Sequence, residues 1–263
     1  MSLSGRRQLI IILLVLIFIG GPISYGLYKT LSRPPICFDN KKNGDELGVD
    51  CGGSCSLFCP QQKSDPLVLW SRFQRVTDRV YNVVAYIENQ NSDALATDVP
   101  YTFTLYDAQN IPIATREGTT FINPNGRQPI FESGIDVGKK VPAFVRFAWN
   151  GVPAWHKTTI NPGILPIEIG DVRATDIDTL PRVTSRITNR GTTTLPPGEV
   201  IIFVYDEEDN VRAFSKTLLD PLKYNQSQPV VFSWPQGFGT GKFRYQIIPV
   251  INAVTLNPVN YAK

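Results

Sequence analysis

The segment Phe103-Thr-Leu-Tyr-Asp107 recurs in altered form as Ile202-Phe-Val-Tyr-Asp206. In both segments alternate residues are large and apolar, which is typical of a β-strand with one face in a core. Each segment is followed by a polar stretch and a further apolar one, as expected for two strands joined by a turn. The residues expected in the two cores are, in equivalent pairs, Phe103 and Ile202, and Leu105 and Val204.

Further segments match at an offset of 100 residues and indicate a duplicated domain. They are Ile87-Glu-Asn89 with Ile187-Thr-Asn189, Asn110-Ile111 with Asn210-Val211, and Gln128-Pro-Ile-Phe131 with Gln228-Pro-Val-Val231. Six or seven short strands in about 95 residues, without intervening helices, favour an antiparallel sandwich. The predicted fold is all-β. Two tandem immunoglobulin-like antiparallel β-sandwiches, at 67–160 and 165–256, follow one transmembrane helix and a small disulfide-rich module.

Alternation along one strand of each copy predicts which face is buried. In the first copy the inward set is Tyr81, Val83, Ala85 and Ile87, and the outward set is Asn82, Val84, Tyr86 and Glu88. In the second copy the inward set is Val183, Ser185 and Ile187. Both strands are therefore predicted to be half-buried. Residues 61–66 are predicted to be a flexible linker, and the proline-bounded stretch 161–166 a hinge between the sandwiches.

The N-terminal region carries a predicted membrane anchor. Twenty consecutive uncharged residues, Leu9–Tyr28, would form a helix of roughly 30 Å, about the thickness of a bilayer core. Arg6 and Arg7 precede it and favour a cytoplasmic N-terminus at 1–8, although basic residues also follow the span. We therefore expect a single-pass protein of the plasma membrane with extracellular C-terminal domains. A cleavable signal peptide ending near Ser24-Tyr-Gly26 is the alternative, and it also exports the remainder.

The segment 29–60 contains all four cysteines of the chain, namely Cys37, Cys51, Cys55 and Cys59. In an exported protein, four cysteines in so short a segment predict two disulfides, with three connectivities possible. A metal–thiolate site is the rival interpretation, because the last three cysteines recur every four residues. Zinc sites usually contain more closely spaced cysteine pairs, and disulfides are therefore preferred.

Carboxylates in the same segment raise the possibility of a Ca²⁺ site. The candidate ligands are Asp39, Asn43, Asp45 and Asp50. With Gly44 at the sixth position of a twelve-residue calcium loop, Asp39 is first, Asn43 fifth and Asp50 twelfth. Lys41 at the third position does not fit this pattern. The alternative is that these side chains form turns within a disulfide knot. No other cofactor is predicted.

Two segments resemble known families. Phe103–Asp107 is similar to the signature of the FxLYD family of small extracytoplasmic immunoglobulin-like domains, from which the second copy departs with Ile202 and Val204. Cys37–Cys59 resembles a short cysteine-rich module of bacterial surface proteins, with its Asn-Gly-Asp-Glu and Gly-Val-Asp-Cys-Gly-Gly runs. Together with the anchor, this arrangement resembles single-pass surface proteins of uncultivated ultrasmall bacteria. The resemblance implies location in the envelope and no shared active site.

The sequence favours a protein that is not an enzyme. Its one histidine, His156, has no neighbouring nucleophile signature, and phosphate-binding and HExxH motifs are missing. The acidic run Asp206–Asp209 is interpreted as a solvated turn. A net charge of +3 without a basic run does not indicate nucleic-acid binding.

The predicted function is that of a structural or adhesive envelope protein. Its expected partners are the membrane and a surface protein or glycan. One alternative is an accessory subunit of a secretion, pilus or sensory complex, whose partner helix would pack at Gly20-Gly-Pro22. A hydrolase acting on carbohydrate or cell-wall material is the other.

Overall fold

The computed structural model describes residues 14–31, 36–160 and 165–256, in two compact units, Met1–Cys59 and Pro60–Lys263. In the first unit a π-helical turn, Leu16–Gly20, continues into helix α1, Gly21–Leu31. Within the described ranges, none of the helices combines the length and the apolar character needed to cross a bilayer. The start of the predicted span, 9–13, lies outside the described residues.

The second unit consists almost entirely of antiparallel strands. They are β1 (Leu67–Arg75), β2 (Val80–Asn89), β3 (Ala94–Tyr106), β4 (Pro112–Ile122), β5 (Gly126–Asp136), β6 (Phe144–Trp149), β7 (His156–Lys157), β8 (Ile167–Thr175), β9 (Arg182–Asn189), β10 (Gly198–Tyr205), β11 (Val211–Leu219), β12 (Ser227–Ser233) and β13 (Arg244–Val250). A 3₁₀ turn, Pro60–Gln62, precedes them, and helix α2, Ala253–Leu256, follows them. The prediction of an all-β fold is confirmed.

The two halves of this unit have the same strand order. The first contains sheets β1-β2-β5 and β4-β3-β6, and the second contains sheets β8-β9-β12 and β11-β10-β13. The short β7 pairs with the beginning of β3. The four predicted core residues, Phe103, Leu105, Ile202 and Val204, are all buried. Burial alternates along this part of β3, and Ile202 and Val204 pack in the core of the second sandwich, which confirms the predicted inward faces. Burial of each such side chain stabilises the fold by about 1.5–3 kcal/mol.

A buried asparagine holds the same loop in both halves. The Asn89 amide, at the end of β2, donates hydrogen bonds to the carbonyl oxygens of Ala94 (2.9 Å) and Asn123 (2.8 Å). Asn189, at the end of β9, makes the two corresponding bonds across its own loop, both 2.8 Å long. These asparagines are among the matched residues of the repeat. Their matching therefore has a structural cause, because a buried carbonyl oxygen needs a donor.

An aspartate forms the turn after β3 and after β10. Asp107 Oδ1 accepts hydrogen bonds from the N–H groups of Gln109 (3.0 Å) and Ile111 (2.9 Å). Asp206 Oδ1 accepts the two equivalent bonds in the second half. Such bonds are typical of aspartate-initiated turns. The first residue of the acidic run Asp206–Asp209 is thus a turn former, as predicted.

The two sandwiches pack on each other face to face. The outer surface of sheet β1-β2-β5 covers that of sheet β11-β10-β13. The buried residues of this interface are Val84, Tyr86 and Phe131 from the first sandwich, and Ile201, Phe203, Tyr205, Phe214 and Val250 from the second. The Phe203 ring lies 5.1 Å from the Trp70 ring and 5.3 Å from the Tyr86 ring, as ring centroids. We name these residues the interdomain interface.

This interface corrects the interpretation of β2 as half-buried. Val84 and Tyr86, assigned to the outward set, are buried together with the inward set. The alternation was visible, but the outer side is also covered, by strands more than 100 residues later in the chain. Of the predicted hinge, 161–164 lies outside the described residues. Whatever its own conformation, the sandwiches that it joins are in extensive apolar contact.

Polar contacts also join the sandwiches. The Asn123 side chain donates to the carbonyl oxygen of Ile251 (2.8 Å) and accepts from the N–H of Ala253 (3.0 Å). Gln74 Oε1 accepts from the N–H of Phe214 at 2.9 Å. The interface is therefore fixed in register as well as covered, because each of these bonds satisfies a backbone group of the second sandwich.

The linker predicted to be flexible is tied to the first sandwich. Ser64 and Asn91 exchange two hydrogen bonds, of 3.1 and 2.8 Å, and Lys63 forms an ion pair with Asp93. The Trp149 indole donates to the carbonyl oxygen of Pro66 at 3.3 Å. Polar composition suggested mobility, but here the polar groups have specific partners.

Candidate functional site: the cysteine-rich module

Two disulfides organise the module. They join Cys37 to Cys55 and Cys51 to Cys59, with Cα–Cα distances of 5.6 and 5.0 Å. The predicted pair of disulfides is confirmed, and of the three possible connectivities the first-to-third, second-to-fourth pattern is the one formed. All four sulfur atoms are bonded, so that none remains as a thiolate for the rival metal–thiolate site.

Close packing around the disulfides requires glycine at specific positions. A Cβ atom at Gly48 would lie 2.7 Å from Cys51 Sγ and 3.0 Å from Cys59 Sγ. At Gly53, where φ is +53°, it would lie 2.1 Å from the carbonyl oxygen of Asp45. The segment is too short to bury an apolar core, and crosslinks with tight glycine turns take its place.

Asp39 and Asp50, the first and the last of the four candidate calcium ligands in the chain, act as hydrogen-bond acceptors. The Asp50 carboxylate accepts from the backbone N–H groups of Asp39 (3.0 Å) and Asn40 (2.9 Å). The Asp39 carboxylate accepts from the N–H of Lys41 and from the Asn43 side-chain amide, both at 2.9 Å. These carboxylates draw the two ends of the 39–50 loop together.

The other two candidates also have partners. Asn43 Oδ1 accepts from the N–H of Ile36 at 3.0 Å, and Asp45 Oδ1 accepts from the Ser54 hydroxyl at 2.9 Å. This is the geometry of turn-forming side chains, the alternative that the sequence left open. A Ca²⁺ ion bound by the four residues would have to replace several of these hydrogen bonds. The calcium site therefore stays a prediction.

Glu46 is the residue of the module that sequence reasoning missed. Its side chain is only 4% exposed, with Oε2 accepting from the N–H of Asn43 at 3.0 Å and Oε1 lying 3.3 Å from Cys55 Sγ. Among the described residues, the group of potential metal-ligand atoms within 4.8 Å of one another is formed by Glu46 with Cys37 and Cys55, whose sulfurs are bonded to each other. The spacing Asn43-x-x-Glu46, which resembles a helix capping box, was the available signal.

His156 lies outside this module, on β7. The strand pairs with β3 through Leu95 and Ala94, which leaves the imidazole half-buried. Burial lowers the pKa of His156 from its ordinary value, since desolvation disfavours the charged ring. The imidazole is therefore predominantly neutral at pH 7.

Comparisons with known proteins place the chain in no family. No protein-family model matches it, and a search of curated proteins gave no match. Among solved structures, it is similar to red sea bream transglutaminase (9% identity, TM-score 0.24, 70% of this chain and 29% of that one). It is also similar to latent PorU from Porphyromonas gingivalis (13% identity, TM-score 0.22, 73% of this chain and 21% of that one). A third similar structure is a glycoside hydrolase family 2 β-glucuronidase (8% identity, TM-score 0.25, 84% of this chain and 27% of that one). The chain spans less than a third of each, and likenesses this low carry no argument about fold or function.

Proposed function

We propose that this chain is a membrane-anchored, extracytoplasmic structural or interaction protein without catalytic activity, which serves as an adhesion or envelope scaffold. Its sandwiches would be of the immunoglobulin-like, FxLYD-like type, with the N-terminus cytoplasmic. The observation that carries this proposal is the interdomain interface. Two domains joined face to face form one block of defined shape, which suits a spacer or a presenting surface.

The interface supports a scaffold because its contacts are apolar and aromatic on both sides. Phe203 contacts two rings of the first sandwich, and Phe131 lies 5.8 Å from Phe214. Opening such a contact would expose several large side chains, each at a cost of about 1.5–3 kcal/mol. An enzyme that closes over a substrate between domains needs a contact that is easier to open.

Exposed apolar side chains support the anchor. Along the described part of the N-terminal helix, Ile17, Phe18, Ile23 and Leu27 are all more than half exposed, and Phe18 is 74% exposed. Contiguous apolar surface of this kind is unfavourable in water and favourable in a bilayer. Disulfides in the module agree with an oxidising location outside the cytoplasm.

Membrane topology provides the direct test. A reporter fused after Lys263 should behave as extracytoplasmic, and protease added outside intact cells should remove the domains beyond the anchor. A domain protected in intact cells but digested after lysis would contradict the proposed orientation. Affinity capture from envelope extract should then recover a specific surface protein or glycan, whereas an inert sandwich block would recover none.

Calcium binding by the module is proposed as a separate property. If Asp39, Asn43 and Asp50 bind Ca²⁺, chelation should increase proteolysis between Cys37 and Cys51 while both disulfides stay intact. Asp50→Asn should reproduce the effect of the chelator. An unchanged cleavage pattern in both experiments would leave these side chains as turn formers.

A further inference from the structure

A polar cavity of about 440 Å³ lies in the two-sandwich unit, at the end of the interdomain interface. Its polar lining residues are Thr97, Asp98, Thr119, Thr120, His156 and Asn252. The first five belong to β3, β4 and β7 of the first sandwich, and Asn252 follows β13 of the second. The volume lies within the range typical of small-molecule sites.

A β-bulge forms one wall of this cavity. The pairing of β3 with β4 shifts between Ala96 and Val99, which adds one residue to β3 relative to β4. Within the bulge, Asp98 has φ of +52°, a left-handed conformation that is uncommon for residues other than glycine. Its side chain is exposed, and no group among the described residues donates a hydrogen bond to its carboxylate. Bulges of this kind frequently redirect a side chain beside a functional site.

The lining chemistry narrows the class of ligand. The lining contains no lysine or arginine, so an anion would meet the Asp98 carboxylate without a compensating charge. A purely apolar ligand would remove water from Thr97, Thr119 and Asn252 without replacing their hydrogen bonds. His156 and Asp98 do not form part of a close group of metal-ligating atoms among the described residues.

A neutral ligand with several hydroxyl groups avoids all three problems. It carries no negative charge, it replaces the hydrogen bonds that the lining loses to water, and it needs no group of metal ligands. Its hydroxyls could exchange hydrogen bonds with the carboxylate of Asp98, the amide of Asn252 and the threonine hydroxyls, which include both donors and acceptors. Its C–H surface could contact Leu95 and Val254. We propose that this cavity binds a sugar residue of an extracellular glycan. The inference deepens the proposed function, because it assigns a ligand class to the interaction block.

The single histidine of the chain makes the test specific. The full-length protein, in a detergent without a sugar headgroup, is titrated with N-acetylglucosamine, glucose, galactose and mannose separately, and the His156 imidazole proton signals are followed by NMR. At least one sugar should shift these signals saturably. If none does, or if choline does so and the sugars do not, the proposal is wrong.

Two variants localise the binding. Asp98→Gly removes the carboxylate while suiting the positive φ, and should weaken sugar binding by about tenfold or more, as expected for a hydrogen bond to a charged group. Thr119→Val, an isosteric change on a strand, should weaken it less. Asp176→Gly is the matched control, because Asp176 also has a positive φ (54°) and is absent from the lining. Equal affinities of Asp98→Gly and Asp176→Gly would overturn the assignment.

The titration uses purified protein and is independent of membrane topology. If the protein does not bind sugar but the reporter is extracytoplasmic, the sugar site is wrong and the proposed location stands. Sugar binding together with a cytoplasmic reporter result would instead overturn the proposed location and leave the site in place.

Discussion

The two sandwiches share a strand order but differ in which outer face is covered. Val84 and Tyr86 on β2 of the first sandwich are buried in the interdomain interface. Their counterparts on β9 of the second, at an offset of 100, are Thr184 and Arg186, which are half-buried and exposed respectively. The outer face of sheet β1-β2-β5 is therefore apolar at these positions, whereas that of the equivalent sheet β8-β9-β12 is polar.

In the other pair of equivalent sheets, β4-β3-β6 and β11-β10-β13, it is the second sandwich whose outer face is apolar and covered. Phe203 on β10 and its cross-strand neighbour Phe214 on β11 are buried against the first sandwich. The equivalent cross-strand pair in the first sandwich is Thr104 and Thr115, on the outer face of sheet β4-β3-β6. Threonine pairs suit a solvated strand surface, whereas paired phenylalanines need cover.

This difference explains why the packing of the two sandwiches stops at two. The covered faces belong to non-equivalent sheets, and a contact between non-equivalent faces leaves one face of each kind free, so further copies of the domain could in principle add by the same contact. The two faces that would continue the stack are polar, at Thr104 on one end and Arg186 on the other. The inner cores and the loop-holding side chains are alike in both copies, so the divergence that matters lies on the outer faces.

Exchanging residues between the copies should have the largest effect. Tyr86→Arg, which introduces the residue of the second copy, should lower the free energy of unfolding by about 3–5 kcal/mol, because it buries an unpaired guanidinium opposite Phe203. The reciprocal Arg186→Tyr should change it by about 0.5 kcal/mol or less. Urea denaturation of both variants measures this contrast, and equal costs would contradict the assignment of the covered face.

Truncation of the interface should be nearly as costly. Phe203→Ala should lower the free energy of unfolding by about 3–5 kcal/mol, since the ring is fully buried and leaves a cavity between the sandwiches. Thr104→Ala, at the equivalent position of the first copy, should cost about 0.5 kcal/mol or less. Thermal and urea unfolding serve as the measurement, and a small cost for Phe203→Ala would show that the sandwiches do not pack as described.

Removing the shared asparagine should have a smaller effect, equal in the two copies. Asn89→Ala and Asn189→Ala should each cost about 2–3 kcal/mol, because each leaves two carbonyl oxygens without their donor. Chemical denaturation of the two single variants tests the structural equivalence. Costs that differ by more than about 1 kcal/mol would show that the loops are held differently.

The smallest expected effect on stability is that of His156, which the first sandwich contains and the second does not. Its pKa in the folded protein is lowered by burial, so the unfolded state takes up the proton first as the pH falls. Its contribution to stability should be complete above the unfolded pKa of about 6.5 and should be lost as the pH falls towards the lower folded pKa. His156→Gln should flatten this part of the stability–pH curve. If the stability of the variant depends on pH as steeply as that of the original protein, groups other than His156 cause the dependence.

Local patterns predicted much of the fold. The alternation in Phe103–Asp107, together with its match to Ile202–Asp206, identified the inward faces, and Asp107 and Asp206 marked turns whose bonds the structure contains. The cysteine count predicted two disulfides. Each of these inferences depends on residues close together in the chain, where side-chain period and turn chemistry act directly.

A sequence signal for the interface existed in the unbroken apolar run Val200–Tyr205. Such a run is typical of a strand covered on both faces, in contrast to simple alternation. The run did not identify what covers the second face. In the module, likewise, the spacing Asn43-x-x-Glu46 indicated a capped turn but did not indicate that Glu46 would lie against a disulfide.

The sequence by itself determined the duplication, the strands, their inward faces and the number of disulfides, because each is encoded by short-range periodicity, turn residues and composition. Only the tertiary structure decided which outer faces meet, which cysteines pair, and that Asp98 and Asn252 line one cavity. These features depend on contacts between residues that are far apart in the chain. The same apolar strand can be covered by a partner domain, another molecule or a lipid, and only the folded arrangement selects one of them.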